Sequence, residues 1–275
     1  MSTSKKGVIN VVGISFNNKH LTEEVKETII NSDVIVGHKN FTDSVSTLIR
    51  ENTFVYNDMH LKDGKEYSFR EKRINCAIEH AVADKVVTII SSGDPGIYGM
   101  SAYVFPELEK RGLRDIIEVN IKPGITAAQV AASKIGAPLM NGFSLLSLCD
   151  DITPKVTIRK RIASLVKGDI VIVLYKLRYN SEYSPEDYPL EKYPEFHPPV
   201  ERAKEEYNYL VDLLMENKDT DTPITLIKNL GDVNEEIIYG NVGEFESFFK
   251  YTNITSILII GNSETKKFGE YLATR

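Results

Sequence analysis

The sequence predicts a two-domain α/β protein, with a parallel sheet in the N-terminal domain and a mixed sheet in the C-terminal one. Three observations carry this reading. In the first half, short apolar β-branched runs alternate with stretches of helical spacing, the pattern of strands joined by helical crossovers. In the second half the texture changes: strands flank a basic helix, and more strands follow a proline-rich stretch. Finally, a chain of 275 residues, 42% hydrophobic and 26% charged, has the composition of an ordinary globular protein with room for two cores.

The elements follow in order. Gly7 to Ser15 is an apolar run and reads as a buried strand. Leu21 to Asn31 carries Leu21, Val25, Ile29 and Ile30 at helical spacing behind a Thr/Glu-rich start. Asp33 to Gly37 is a second short strand, Tyr67 to Ala83 a long amphipathic helix, and Lys85 to Ser91 (KVVTIIS) the clearest buried strand of this half. A helix over Ser101 to Arg111 stops at Gly112, and the strand Ile116 to Ile121 passes through Pro123-Gly124 into a helix over Thr126 to Ile135. The domain division is expected at 117/118. Beyond it, strands Phe143 to Leu148 and Asp169 to Tyr175 flank the basic helix Thr157 to Val166, and Pro223 to Lys228 and Ser256 to Ile260 add two more. Between 179 and 201 lie Pro185, Pro189, Pro194, Pro198 and Pro199 among tyrosines and acidic residues, which excludes a core helix or central strand and leaves a surface loop, a lid or a subunit contact.

Composition narrows the function. A net charge of −6 argues against a protein whose affinity rests on neutralising many phosphates. Cys76 and Cys149 stand far apart and form no Cys-x-x-Cys, so neither a disulfide framework nor a thiolate metal site is indicated, and a reducing, cytoplasmic setting fits. No apolar run reaches the length of a membrane span or of a signal-peptide core, and no membrane partner is expected. The histidines His20, His38, His60, His80 and His197 show no i,i+3 or i,i+4 pairing, which gives no metal site.

The strongest chemical signal is Ser91-Ser92-Gly93-Asp94-Pro95-Gly96-Ile97-Tyr98-Gly99-Met100, directly after a buried strand and before a helix. Ligands of open α/β sheets bind at the carboxyl ends of strands. Glycines let the backbone approach a ligand, Pro95 fixes its local φ, and Asp94 offers an acceptor for hydroxyls or an ammonium group. The wording matches neither a dinucleotide fingerprint nor a phosphate-cradling loop. A tight turn with a helix cap is the plain alternative. Pro123-Gly124-Ile125-Thr126-Ala127-Ala128 is a second strand-to-helix turn whose small residues leave room for a flat ligand, although a simple helix cap explains it equally well in isolation.

Together these segments resemble the tetrapyrrole methylases of the cobalamin pathway, which use S-adenosylmethionine. Within that family the wording is most similar to the branch that methylates C17 of precorrin-3B or cobalt-precorrin-3 (cobalt-factor III). Ser91 to Met100, Pro123 to Ala127, Gly136-Ala137-Pro138-Leu139-Met140, Ser147-Leu148-Cys149-Asp150 with Thr153-Pro154, Val173-Leu174-Tyr175 and Gly261-Asn262-Ser263-Glu264-Thr265 carry the likeness. It implies a tetrapyrrole methylase-like fold with the active site in the cleft between its domains, a homodimer, and ring contraction alongside methyl transfer. Carried over by position, the donor would contact Ser92, Gly93, Asp94, Ile97, Thr126, Ala127, Lys176, Leu230, Thr255 and Ser256. Methyl transfer from a sulfonium demands alignment, water exclusion and any needed proton removal, with no protein-bound metal. Asp150 and His38 are the acid-base candidates.

Two segments depart from the family's usual wording. Its Gly-x-Gly-Pro-Gly loop after the first strand is here Gly13-Ile14-Ser15-Phe16-Asn17-Asn18-Lys19-His20, and Lys176-Leu177-Arg178-Tyr179 replaces Asn-Pro-Arg-Ser. The substrate-side walls are therefore bulkier and more polar. The implied macrocycle is a polycarboxylate, and Lys155, Arg159 and Arg178, with Lys160, Arg161 and Lys176 nearby, are the cations available to meet it, against the ordinary reading of a solvated helix face. Methylation of another precorrin, or donor binding without catalysis, are the alternatives.

Overall fold

A computed structural model describes residues 7–15, 20–58, 67–148, 153–177, 200–253 and 255–275. They divide into two compact units, 1–127 and 128–275.

In the first unit the apolar runs pair as a purely parallel sheet. Strands β1 (Val8–Ile14), β2 (Val34–His38), β3 (Phe54–Asp58), β4 (Val86–Ser92) and β5 (Glu118–Lys122) lie in the order β3-β2-β4-β1-β5. Helices α1 (Glu23–Ile30), α2 (Lys39–Ser44), α3 (Tyr67–Val82) and α4 (Ser101–Lys110) connect them. Ile9, Val11, Val34, Val36, Val87 and Ile89 form one core with Ile74, Ala77 and Ile78 of α3 and Val104 and Leu108 of α4. Val12, Ile14, Ile35 and Ile90 face the other way, onto Val25 and Ile29 of α1. Burial on both faces is the reason β1 and β4 read as near-continuous apolar runs. Thr22 starts α1, its hydroxyl accepting the Val25 N–H at 3.2 Å. Because β5 is hydrogen-bonded to β1, the first unit runs through β5 and the turn after it, ten residues past the expected 117/118 division.

The second unit carries the mixed sheet. β7 (Phe143–Ser147), β8 (Val171–Tyr175), β9 (Pro223–Lys228), β10 (Glu236–Asn241) and β11 (Ile257–Ile260) lie in the order β10-β9-β11-β8-β7, with only β7 and β8 parallel. On one face α6 (Lys155–Lys167), α7 (Val200–Asn217) and the 3-10 helix Val242–Tyr251 bury Ile158, Ile162, Tyr207, Leu210, Leu214, Phe245 and Phe248 against Ile172, Leu174, Leu226 and Leu258. The buried Tyr207 hydroxyl donates to the Phe245 carbonyl at 2.6 Å. A small sheet joins β6 (Gly136–Ala137), which follows α5 (Ala127–Ile135), to the hairpin of β12 (Thr265–Phe268) and β13 (Tyr271–Thr274).

Two of the segments that carried the family likeness meet here. The Asn262 side chain accepts the Glu264 N–H and the Thr265 hydroxyl and donates to the Asp169 carbonyl, while Ser263 donates from both its N–H and its hydroxyl to the Asp169 carboxylate. Those bonds hold the Asp169 carboxyl below its usual range. Thr274 in turn pairs with Thr265 at 2.8 Å and donates to the Pro138 carbonyl at 2.8 Å. The Gly136-Ala137-Pro138 and Gly261-to-Thr265 motifs therefore form one polar clasp around the small sheet. The proline-rich stretch lies outside the described residues as far as 199. Among the described residues no helix is long and apolar enough to cross a membrane.

Candidate active site

The parallel pairing of β1, β4 and β5 brings three strand ends to one edge of the first sheet, with Gly13 beside Ser91 and Ile14 beside Ser92. Three glycines let the loops leaving these strands touch backbone to backbone. A Cβ on Gly13 would stand 2.6 Å from the Gly124 nitrogen, and one on Gly124 would stand 2.7 Å from the Gly13 carbonyl carbon, with the Gly93 carbonyl oxygen closer still to each. The Gly93 N–H donates to the Ile14 carbonyl at 2.5 Å, and Gly93 turns away at φ +61°.

Asp94 organises the loop. Its Oδ1 accepts the Gly96 N–H at 2.8 Å, and its Oδ2 accepts the Gly124 N–H at 3.2 Å. One carboxylate thereby ties the Ser91–Met100 loop to the Pro123–Ala127 turn. Ser101 donates from its N–H and its hydroxyl to the Pro95 carbonyl, and the buried Ser91 hydroxyl accepts the Met100 N–H at 3.3 Å, which anchors the far end. Between the anchors Ser92, Gly96, Ile97 and Tyr98 are exposed. Thr126 is buried, its Cα 3.6 Å from where a Gly93 Cβ would sit. The six residues expected of this unit, Ser92, Gly93, Asp94, Ile97, Thr126 and Ala127, thus lie on two adjoining turns.

His38 ends β2 at the same edge and caps α2, its Nδ1 accepting the Asn40 N–H at 3.2 Å. Beside it in register is Asp58, which a guanidinium fork from Arg73 holds in a nearly buried ion pair. Burial and then the Arg73 charge pull His38 below its ordinary 6.5, against the opposing Asp58 carboxylate. The unfolded chain therefore binds the proton more readily, so folding stability is full above pH 6.5 and falls as pH drops through the folded value. Urea midpoints between about pH 7.5 and about pH 5 should show this slope, and His38→Asn, which keeps a capping oxygen, should flatten it; identical slopes would exclude His38 as its source.

The second unit gathers its expected residues at one edge of its own sheet. Ser147 and Tyr175 close the parallel strands β7 and β8, and the antiparallel register sets Ile257, the first residue of β11, beside Tyr175 and Ile227. The Tyr175 hydroxyl accepts the Ala128 N–H of α5 at 2.7 Å. Lys176 follows at φ +54°, and Leu230 is buried between Asn229 (φ +52°) and Gly231 (φ +79°). Thr255 and Ser256 spend their hydroxyls locally. Thr255 Oγ1 bonds Asn229 Oδ1 at 2.8 Å and Ser256 Oγ bonds Asn253 Oδ1 at 2.9 Å, so an asparagine-rich clasp fixes the loop that carries Leu230.

Two of the cations expected to meet a polycarboxylate, Lys155 and Arg159, are paired with carboxylates. Arg159 grips Glu206 with its Nε at 3.1 Å and its Nη2 at 2.6 Å, reaches Glu205 at 3.1 Å, and stacks over Tyr209 at 4.7 Å, while Lys155 pairs with the same Glu206. Asp150 and Arg178 lie outside the described residues, as does part of the altered first loop. Sequence reasoning missed the Asn229–Asn253 clasp, the Asp58–Arg73 pair and Glu206, which depend on partners distant in sequence and belong to no motif, and it placed Tyr175 in a motif without its hydroxyl's contact to Ala128.

Known proteins share this sequence pattern and this fold. The family model for tetrapyrrole (corrin/porphyrin) methylases matches residues 8–246. A "probable cobalt-factor III C(17)-methyltransferase" of Methanocaldococcus jannaschii is 32% identical over 267 residues, covering 94% of this chain and 93% of that one. Its counterpart of the same description in Salmonella typhimurium is 33% identical over 260 residues, covering 94% of each. Among solved structures, the methyltransferase CobJ superposes with a TM-score of 0.77 at 22% identity over 98% of this chain and 100% of its own. A uroporphyrin-III C-methyltransferase from Thermus thermophilus, complexed with S-adenosylhomocysteine, gives 0.63 at 16% identity over 93% and 97%. With a matched family model spanning most of its length and relatives aligned nearly end to end, the chain belongs to the tetrapyrrole (corrin/porphyrin) methylases.

Proposed function

We propose that the chain is an S-adenosylmethionine-dependent C-methyltransferase acting on C17 of cobalt-factor III or of precorrin-3B, with ring contraction, in cobalamin biosynthesis. The observation that carries this reading is the near full-length alignment, at 32% and 33% identity, with two relatives described by that activity.

The residues at the first sheet edge fit such a donor. Its sulfonium, ammonium and ribose groups call for acceptors, and its adenine calls for an apolar wall. Asp94 uses one lone pair of each oxygen within the loop, and a carboxylate has about four acceptor positions, so it can still receive a ligand. Ser92 adds an exposed hydroxyl, and Ile97 an exposed apolar side chain. Ser92, Gly93, Asp94, Ile97, Thr126 and Ala127 are the donor ligands proposed in the first unit. Lys176 and Leu230, steadied by Thr255 and Ser256, are those proposed in the second.

The donor supplies a methyl group on a sulfonium, open to in-line displacement by a carbon nucleophile. The loop's part is to hold that group still and dry, because alignment is the main demand of the step. The His38 ring, with Nδ1 occupied by the Asn40 N–H, carries its proton on Nε2 when neutral. Dimerisation and a cytoplasmic setting belong to the same reading.

Incubating the chain with isotopically labelled S-adenosylmethionine and either cobalt-factor III or precorrin-3B, followed by mass spectrometry, tests the proposal. A labelled, once-methylated corrinoid is expected. Methylation only of other precorrins would move the enzyme to a different step, and S-adenosylhomocysteine binding without any methylation would leave a donor-binding protein.

A further inference from the structure

The Lys155–Arg159–Glu206 cluster has features that a simple surface ion pair lacks. Arg159 presents the two-pronged fork that fits a carboxylate, Lys155 adds an ammonium to the same oxygen, and Tyr209 supports the guanidinium plane. Burial alone would push Glu206 up, but the hydrogen bonds from Arg159 and Lys155 outweigh it and keep the group a carboxylate. All three side chains retain access to solvent, Lys155 and Arg159 at 34% and Glu206 at 24%. The fork adds to folding stability, and its partial exposure keeps both cations within reach of solvent.

The surroundings are apolar. Beside the cluster a pocket is walled by Leu148, Ile158, Ile162, Leu177 and Leu210, with Lys176 also on its lining. A carboxylate grip next to hydrocarbon walls is complementary to a short carboxyalkyl side chain on a flat apolar ring system. The topology sets this pocket at a meaningful edge: α6 begins just after β7 ends, so its first turns rise from the sheet edge that also carries Lys176, Leu230 and Thr255.

We infer that Lys155 and Arg159 form a carboxylate-exchange site, in which Glu206 holds the place of a carboxylate of the tetrapyrrole substrate and yields it when the substrate binds. The inference deepens the methyltransferase reading, on which it rests, by assigning Glu206 as a specificity-determining residue. An internal competitor lowers the affinity of any single carboxylate. A ligand with several carboxylates, anchored elsewhere, displaces it more readily than a small acid does.

The test uses the whole chain with uroporphyrin III as probe, its octamethyl ester as the uncharged comparison, and S-adenosylhomocysteine as a separate ligand. Removing the competitor in Glu206→Gln should tighten uroporphyrin III binding, read by fluorescence, by roughly fivefold, with no change for the ester. Arg159→Gln should weaken it by a similar factor. Glu109→Gln, which removes the same charge from an exposed ion pair in the first unit, should leave the affinity unaltered. Weaker or unchanged binding in a folded Glu206→Gln protein, checked by circular dichroism, would make the cluster a structural clasp and overturn the inference, as would the absence of uroporphyrin III binding to both proteins. S-adenosylhomocysteine binding and cobalt-factor III methylation by the unaltered chain report on the methyltransferase reading alone, which distinguishes the two failures.

Discussion

Gly124→Ala should destabilise the first unit by on the order of 3 kcal/mol or more, at the upper end of what overpacking costs. The added methyl would stand 2.7 Å from both the carbon and the oxygen of the Gly13 carbonyl, and closer still to the Gly93 carbonyl oxygen. All of these atoms are backbone, so no side chain can rotate out of the way. Relief requires β1 or the Ser91–Met100 loop to move, and β1 is hydrogen-bonded on both sides within the sheet. Gly112→Ala provides the comparison. That glycine sits at φ +66° with nothing within 4 Å of a built Cβ, so its substitution costs only the roughly 1 kcal/mol of a left-handed residue. Urea unfolding followed by circular dichroism separates the two. Equal midpoints would mean that the three-glycine contact has slack and does not fix the loops.

The second large effect is on the donor. Asp94→Ala removes the acceptor of two loop N–H groups at once, those of Gly96 and Gly124, and with them the only carboxylate of the Ser91–Met100 loop. A hydrogen bond from a ligand to a charged group contributes about 1.5–3 kcal/mol, so losing the bond proposed between the donor and Asp94, with the loop held less firmly, corresponds to roughly tenfold to a hundredfold weaker S-adenosylhomocysteine binding. Asp94→Asn should fall between, because its amide keeps one acceptor oxygen and turns an N–H toward one of the two backbone donors. Calorimetric titration reads the affinities, and a folded Asp94→Ala protein that binds as tightly as the unaltered chain would remove Asp94 from the donor site. The midpoint comparison made for glycine shows whether the fold has been affected.

Buried elements of this fold were readable from the sequence because burial writes itself into composition. β1 and β4 are enclosed on both faces and appear as near-continuous apolar runs, and Pro223–Lys228 is legible with its observed bounds for the same reason. Among the edge strands, β5 and β7 were legible and others escaped. β3 begins with the exposed Phe54 and alternates with polar residues, β10 is the outer strand of its sheet, and the β12–β13 hairpin is lysine-bearing surface. α7 has helical spacing at Tyr207, Leu210, Leu213 and Leu214, but Pro194, Pro198 and Pro199 just before it give its start the composition of a loop. At the site, the loop motifs were legible because a glycine or a proline is a local instruction to the backbone. The pairing of Arg159 with Glu206, 47 positions away, was not, because sequence spacing says nothing about which helix will lie beside another. Hence two of the residues read as cations for a substrate proved to be already matched by carboxylates.

The polar clasp that joins Pro138, Thr265 and Thr274 has a consequence for protein engineering. Because the Thr274 hydroxyl donates to the Pro138 carbonyl and β13 pairs with β6, the two segments form one structural module separated by more than a hundred positions. A chimera whose grafted 136–140 stretch follows a different backbone path would carry the Pro138 carbonyl away from the buried Thr274 hydroxyl and weaken the pairing between β6 and β13. Recombination libraries within the family should therefore place their crossovers so that these two pieces always travel together.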